Sequence, residues 1–138
     1  MKIVIDNNVV LDALLKRCPF NKSAEQILLY CVDEHEGCIT ANSLTDIFYV
    51  LRKTLDVVTA KASIRKLMEF FTVLSVSDED CLNALSLPID DFEDALIVEC
   101  AKKVNADFIV TRDKRLLMAD ALVEIIQPGT LAEMLKNI

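Results

Sequence analysis

The first apolar stretch of the chain is Ile3, Val4 and Ile5, and it stops on Asp6, Asn7 and Asn8. Three β-branched residues without alternation predict a strand buried on both faces, as in a parallel sheet. Residues 9–16 predict a short helix, closed ahead of Pro19. Asn21 or Ser23 caps a second helix with an apolar stripe of Ala24, Ile27, Leu28 and Cys31, and Gly37 stops it. Residues 38–41 predict a second strand. Asn42 or Ser43 caps a third helix, with Leu44, Ile47, Phe48, Leu51 and Leu55 at helical spacing.

Thr59 begins a fourth helix through Ile64, Leu67, Met68 and Phe71. Residues 72–76 read as a third strand. Asp78 caps a short helix that ends near Pro88, and Asp90 or Asp91 opens a helix to Val104. Residues 107–111 form a fourth buried strand, with Asp113 at its end. Residues 122–126 read as a fifth strand, at an edge, and Thr130 caps a last helix. Strands alternating with helices define an α/β protein with a mainly parallel sheet of about five strands. Right-handed crossovers put helices on both faces.

Size and composition refine this. The 138 residues, 53% hydrophobic, suit one domain over 1–138. Two glycines and three prolines leave room only for short loops. No apolar run approaches a membrane span, and the start shows no signal peptide. Five cysteines lack a CxxC pair, and the single histidine, His35, adds no metal-ligand spacing. Reduced thiols and a cytoplasmic location are expected, and His35 reads as a surface residue. A net charge of −7 argues against a simple nucleic-acid-binding module. It argues less against an enzyme whose carboxylates hold a cation for phosphate chemistry.

Four aspartates stand where folding does not require a carboxylate. Asp6 ends the first strand, at the sheet edge where open α/β folds bind ligands, although it also suits a helix cap. Asp113 ends the fourth, where a turn residue is the plain alternative. Asp94 lies roughly 140° around its helix from Glu99, on the inward face with Ile97, Ala101 and Val104. A carboxylate there is costly unless something pairs with it. Asp46 sits beside the apolar stripe in the first turns of its helix, where the helix dipole alone accounts for it. Glu93 also falls on the inward half of its wheel and is a possible fifth ligand. Asp12, Asp33, Asp56, Asp78 and Asp80 read as caps or solvated surface.

If the first and fourth strands are neighbours, Asp6 and Asp113 share one cleft, which the helix starts carrying Asp94 and Asp46 can line. Clustered carboxylates raise one another's pKa values. Mg²⁺ or Mn²⁺ would relieve the repulsion and activate a bound water. Arg112, Lys114 and Arg115, with Arg52 and Lys53, are candidates to hold a phosphodiester backbone or simply form a solvated face.

At this point the chain resembles PIN domains. Ile5-Asp6-Asn7-Asn8-Val9-Val10-Leu11-Asp12 resembles their opening motif. The segments Thr45-Asp46-Ile47-Phe48, Asp91-Phe92-Glu93-Asp94-Ala95-Leu96 and Ile109-Val110-Thr111-Arg112-Asp113 resemble the next three, in order. Gln127-Pro128-Gly129-Thr130 is similar to the closing Pro and helix. The resemblance implies a three-layer Rossmann-like fold with the first strand central. It also implies a Mg²⁺- or Mn²⁺-dependent ribonuclease acting through Asp6, Asp46, Asp94 and Asp113. Asn8 would support Asp6, and Thr111 the metal waters. RNA as substrate, an antitoxin partner and a homodimer, as in bacterial toxin–antitoxin pairs, are further implications.

Two positions depart from that pattern. The second acid is usually Glu, here Asp46, and the residue after Asp6 usually carries a hydroxyl, here Asn7. They keep open a PIN-like binding module without catalysis. A haloacid-dehalogenase-like phosphatase is a third reading, but it wants an Asp where Asn8 stands.

Overall fold

The computed structural model describes residues 1–137. In chain order its elements are β1 (Lys2–Ile5), α1 (Asn7–Leu14), α2 (Asn21–Asp33), β2 (Glu36–Thr40), α3 (Ala41–Thr54) and α4 (Val57–Phe70). Next come β3 (Thr72–Leu74), α5 (Asp78–Leu85), α6 (Phe92–Lys103), β4 (Phe108–Val110), α7 (Lys114–Leu117), β5 (Glu124–Ile126) and α8 (Pro128–Lys136). The five strands run parallel in the order β3-β2-β1-β4-β5, so β1 is central and β5 is an edge.

The unbroken apolar run of β1 is explained by two cores. Ile3 and Ile5 face one, with Val9, Ile27, Ile39 and Ile47, under α1, α2, α3 and α8. Val4 faces the other, with Cys38, Ile97, Ile109 and Leu116, against α6 and α7. The period-two alternation of strand side chains sends neighbours to opposite layers. Register pairs Val4 with Cys38 and with Ile109.

Several expected boundaries shift. Gly37 does not stop α2, which closes at Glu34; it lies inside β2, opposite Ile3. A Cβ there would stand 2.6 Å from Phe71 Cδ1 and 2.7 Å from Cys31 Cβ, so close packing requires the glycine. α3 begins at Ala41, not after Asn42 or Ser43, because the Thr40 hydroxyl lies 2.7 Å from the buried Ser43 hydroxyl and the strand ends there. α4 starts at Val57, two residues ahead of the expected Thr59, because Asp56 caps it by accepting from Thr59 N at 2.7 Å. Ser77, not Asp78, caps α5, in a reciprocal box with Asp80. Pro128 opens α8, leaving Thr130 inside it. The short helix α7 has no counterpart in the sequence reading. No helix among the described residues is long and apolar enough to cross a membrane, and all five cysteines are free thiols.

Candidate active site

β1 and β4 lie side by side, and the chain leaves both at the same edge of the sheet. Asp6 continues the pairing for one residue, its N–H donating to Val110 O at 3.0 Å. It then turns the chain into α1 as N-cap, with Oδ1 accepting from Asn7 N at 2.8 Å. The capping role and the cleft position belong to the same carboxylate. Asp6 is buried, and Oδ2 accepts from Thr111 Oγ1 at 2.7 Å and Asn8 Nδ2 at 2.9 Å.

Thr111 is fully buried. Its oxygen accepts from Asp113 N at 3.0 Å and from Asn8 Nδ2 at 3.2 Å. With its lone pairs so engaged, the hydroxyl proton points at Asp6. Asn8 also receives Arg112 N on its carbonyl at 3.4 Å. Thr111 and Asn8 therefore lock the end of β1 to the end of β4. The Asn8 amide donates to Asp6, so no acid stands two places after it, and the phosphatase reading lacks its general acid.

Asp113 lies three residues past β4, not at its end, and caps α7 through Arg115 N at 2.9 Å. The turn role and proximity to Asp6 coexist. Asp94 is buried in the first turn of α6, as the wheel predicted, with its N–H on the cap residue Asp91 at 3.0 Å. Asp46, on α3, and Glu93, on α6, meet at Asn7: Nδ2 is 3.1 Å from Glu93 Oε1 and 3.4 Å from Asp46 Oδ2.

The electrostatics connect these groups. Burial raises the Asp6 carboxyl, against the hydrogen bonds of Thr111, Asn7 and Asn8, and the Asp113 charge raises it further. Asp94 is pushed up to about 6, by burial first and then by Asp91, Asp113 and Asp6, while Arg115 pulls it down. Glu93 is pushed up to about 7, by burial, then by Asp46 through a hydrogen bond and its charge, then by Asp6 and Asp91. Charge thus links Asp6 with Asp113 and Asp94, and Glu93 with Asp46 and Asp6.

Among the described residues, no three Asp, Glu, His or Cys side chains stand close enough together to hold a metal ion between them. The donor set is carboxylate and amide oxygen, which suits a hard cation. Mg²⁺ commonly binds through one or two carboxylates and keeps several waters, so an open arrangement fits it better than it fits zinc.

The basic residues divide. Arg112 does not face outward as an RNA contact: it forms two hydrogen bonds to Asp12, at 2.6 and 3.1 Å, and lies 4.2 Å over the Phe20 ring. Asp12 is buried, not a cap or a solvated residue, and Arg17 adds a second cation 3.6 Å away. The sequence carried the signal. Asp12 follows Val9 by three positions, on the same inward face of α1. Asp80, also read as cap or surface, is buried, capping α5 and pairing with Lys103 at 2.6 Å. Lys114 and Arg115 remain exposed beside the cleft. Arg52 and Lys53 flank exposed Tyr49, 5.7 and 6.0 Å from its ring centre.

A parallel five-stranded sheet with acids gathered at the exits of two central strands defines a three-layer α/β protein of PIN architecture. The PIN domain family profile matches residues 2–115, and the chain belongs to that family. Solved structures share its fold at low identity. VapBC2 from Rickettsia felis, bound to a DNA fragment from their promoter, is 16% identical with a TM-score of 0.72, over 92% of this chain and 98% of that one. A toxin–antitoxin complex from Klebsiella pneumoniae is 14% identical, TM-score 0.70, over 91% and 97%. Mycobacterium tuberculosis VapC20, described as a Sarcin-Ricin loop cleaving toxin, is 15% identical, TM-score 0.69, over 87% and 96%. No curated protein matches the chain by sequence.

Proposed function

We propose that this protein is a Mg²⁺- or Mn²⁺-dependent endoribonuclease and the toxin of a toxin–antitoxin pair. The observation that carries the reading is the buried Asp6, fixed by Thr111 and Asn8 within the electrostatic reach of Asp94 and Asp113. Membership of the PIN family supports it. So do structural neighbours described as a toxin–antitoxin complex and as a Sarcin-Ricin loop cleaving toxin. An antitoxin protein and a second copy of this chain are the partners it brings with it.

In this reading Asp6, Asp94 and Asp113 would hold the ion, in part through the waters it keeps, and Asp46 with Glu93 forms the far wall of the cleft. The bound cation supplies charge neutralisation and a water acidic enough to act as nucleophile. The remaining steps belong to the chain. Thr111 and Asn8 keep Asp6 in one rotamer, which would preorganise its carboxylate for the cation. Exposed Lys114 and Arg115 offer cations to the nucleic-acid backbone beside the cleft.

One observation favours a second reading, a binding module without catalysis: the carboxylates do not close into a three-ligand cage. Incubation of purified protein with single-stranded RNA and MnCl₂ separates the two. Hydrolysis by wild type, abolished by chelation and by Asp6→Asn, supports the nuclease. Equal degradation by wild type and Asp6→Asn would remove it.

A further inference from the structure

A hollow of about 460 Å³ opens between the segment that leads into α6 and the segment around α7. That volume is in the range of small-ligand sites. Pro88 and Met118 give it apolar walls, and Met118 is 85% exposed, a large apolar side chain left to solvent. Asp94 joins the hollow to the acidic cleft. It lines the hollow and is only 7% exposed, and among the described residues no donor reaches its carboxylate oxygens. A carboxylate so buried is costly without a partner. The charges of Asp6 and Asp113 also reach Asp94, so an occupant of the hollow lies next to the cleft.

The other polar groups of the lining are one-sided. Asp90 and Asp120 accept no hydrogen bond among the described residues, while Asp91 is spent as the cap of α6. Arg115 is the cation of the lining, and it forms no ion pair among the described residues. Carboxylates repel a phosphate, so the part of an RNA strand that suits this hollow is a neutral base rich in donors. Guanine presents N1–H and N2–H₂ side by side, and a carboxylate accepts two such donors together. Adenine and cytosine set one amino group beside a ring acceptor, and uracil sets one N–H between two carbonyl oxygens. Each of these would turn an acceptor toward the carboxylate. The O6 and N7 acceptors on the opposite edge of guanine match an arginine.

We propose that this hollow receives a guanine base of an RNA strand lying in the acidic cleft, and that Asp90, Asp120 and Arg115 are its specificity-determining residues. The inference rests on the nuclease reading above and names its substrate. Pro88 and Met118 cover the base, the Asp90 and Asp120 carboxylates take its N1–H and N2–H₂ edge, and Arg115 takes O6 and N7. Lys114 is left for the backbone.

Two arms test this on the full chain. In the first, protein labelled with [methyl-¹³C]methionine is titrated with GMP, IMP and AMP, which needs no turnover, and Met118→Leu identifies the Met118 signal. GMP is expected to shift that signal at about one tenth of the concentration needed with IMP, which lacks only the 2-amino group. AMP should be weaker than GMP. Asp90→Asn/Asp120→Asn, both at exposed positions, should erase the difference between GMP and IMP at an unchanged Tm. In the second arm, single-stranded RNA carrying one guanine, or inosine in its place, is incubated with MnCl₂, and cleavage beside guanine should be about tenfold faster. Equal shifts by all three nucleotides, or no shift with GMP, would overturn the proposal. A GMP-selective shift with cleavage indifferent to inosine would make the occupant a free guanine nucleotide and overturn the assignment to RNA. No cleavage of either RNA, with the GMP-selective shift intact, would remove the nuclease reading and uphold the guanine site.

Discussion

Arg112 grips Asp12 through Nε to Oδ2 at 2.6 Å and Nη2 to Oδ1 at 3.1 Å, tying the segment after β4 to the buried face of α1. The pair flanks Thr111 and Asp113 on one side and Asn8 on the other, so it braces the cleft without entering it. Breaking a buried pair leaves an uncompensated charge, which costs about 3 kcal/mol. Arg112→Met is expected to lose about that much stability in urea denaturation, with Arg17 recovering part of it. Arg112→Lys keeps the charge but not the two-pronged geometry and should fall between. Lys114→Ala, on the exposed side, should stay within about 0.5 kcal/mol of wild type.

Gly37 tests the packing of β2 against the α2 and α4 ends. A methyl group there collides with Phe71 and Cys31 at distances that side chains do not tolerate. Gly37→Ala is expected to destabilise the protein by about 2 kcal/mol through overpacking alone. Thermal melts check it. An unchanged Tm would mean that the Phe71 ring swings clear at no cost.

The acidic cleft makes stability depend on pH in a defined direction. Asp94, ordinarily near 3.8, is raised to about 6, and Glu93, ordinarily near 4.5, to about 7. The folded chain therefore holds these protons more tightly than the unfolded chain. Their stabilising contribution is complete below about pH 4 and is lost as pH rises through 6 to 7. Solvent reaching the cleft screens part of the effect. In EDTA, Tm at pH 5.5 should exceed Tm at pH 7.5 by roughly 4 °C. Glu93→Gln should flatten the difference.

Thr111 carries the orientation of Asp6. Thr111→Val keeps the shape but removes the donor to Asp6 Oδ2 and the acceptor for Asp113 N. Loss of such an outer partner costs about 10–100-fold in metal affinity or activity. The expected result is a weaker Mn²⁺ affinity and slower RNA hydrolysis in that range, measured side by side on one preparation.

Much of this was readable from residue order. Apolar runs located every strand, because a strand buried on both faces must be continuous in hydrophobic residues, as Ile3–Ile5 is. The inward position of Asp94 followed from helical periodicity alone. Other features needed the third dimension. Gly37 resembled a helix stop because glycine commonly is one, and only the Phe71 ring shows that space, not conformation, selects it. Asp12 and Arg112 are 100 residues apart, so no local pattern joins them. The α7 turn is four residues long, too short to show a period. Asn7 looked like a simple departure from a motif until α3 and α6 brought Asp46 and Glu93 to it.

The claim on which the rest depends is that repelling carboxylates from β1, α6 and the loop after β4 are reconciled by a divalent cation. Its most direct measurement is the melting temperature with and without millimolar MnCl₂ at pH 7.5, for wild type, Asp6→Asn and Asp94→Asn. A ligand at about 100 times its Kd stabilises the native state by about 2.7 kcal/mol. Wild type should therefore melt several degrees higher with Mn²⁺, and neither variant should respond. A wild type indifferent to Mn²⁺, or a shift of equal size in all three proteins, would contradict the account.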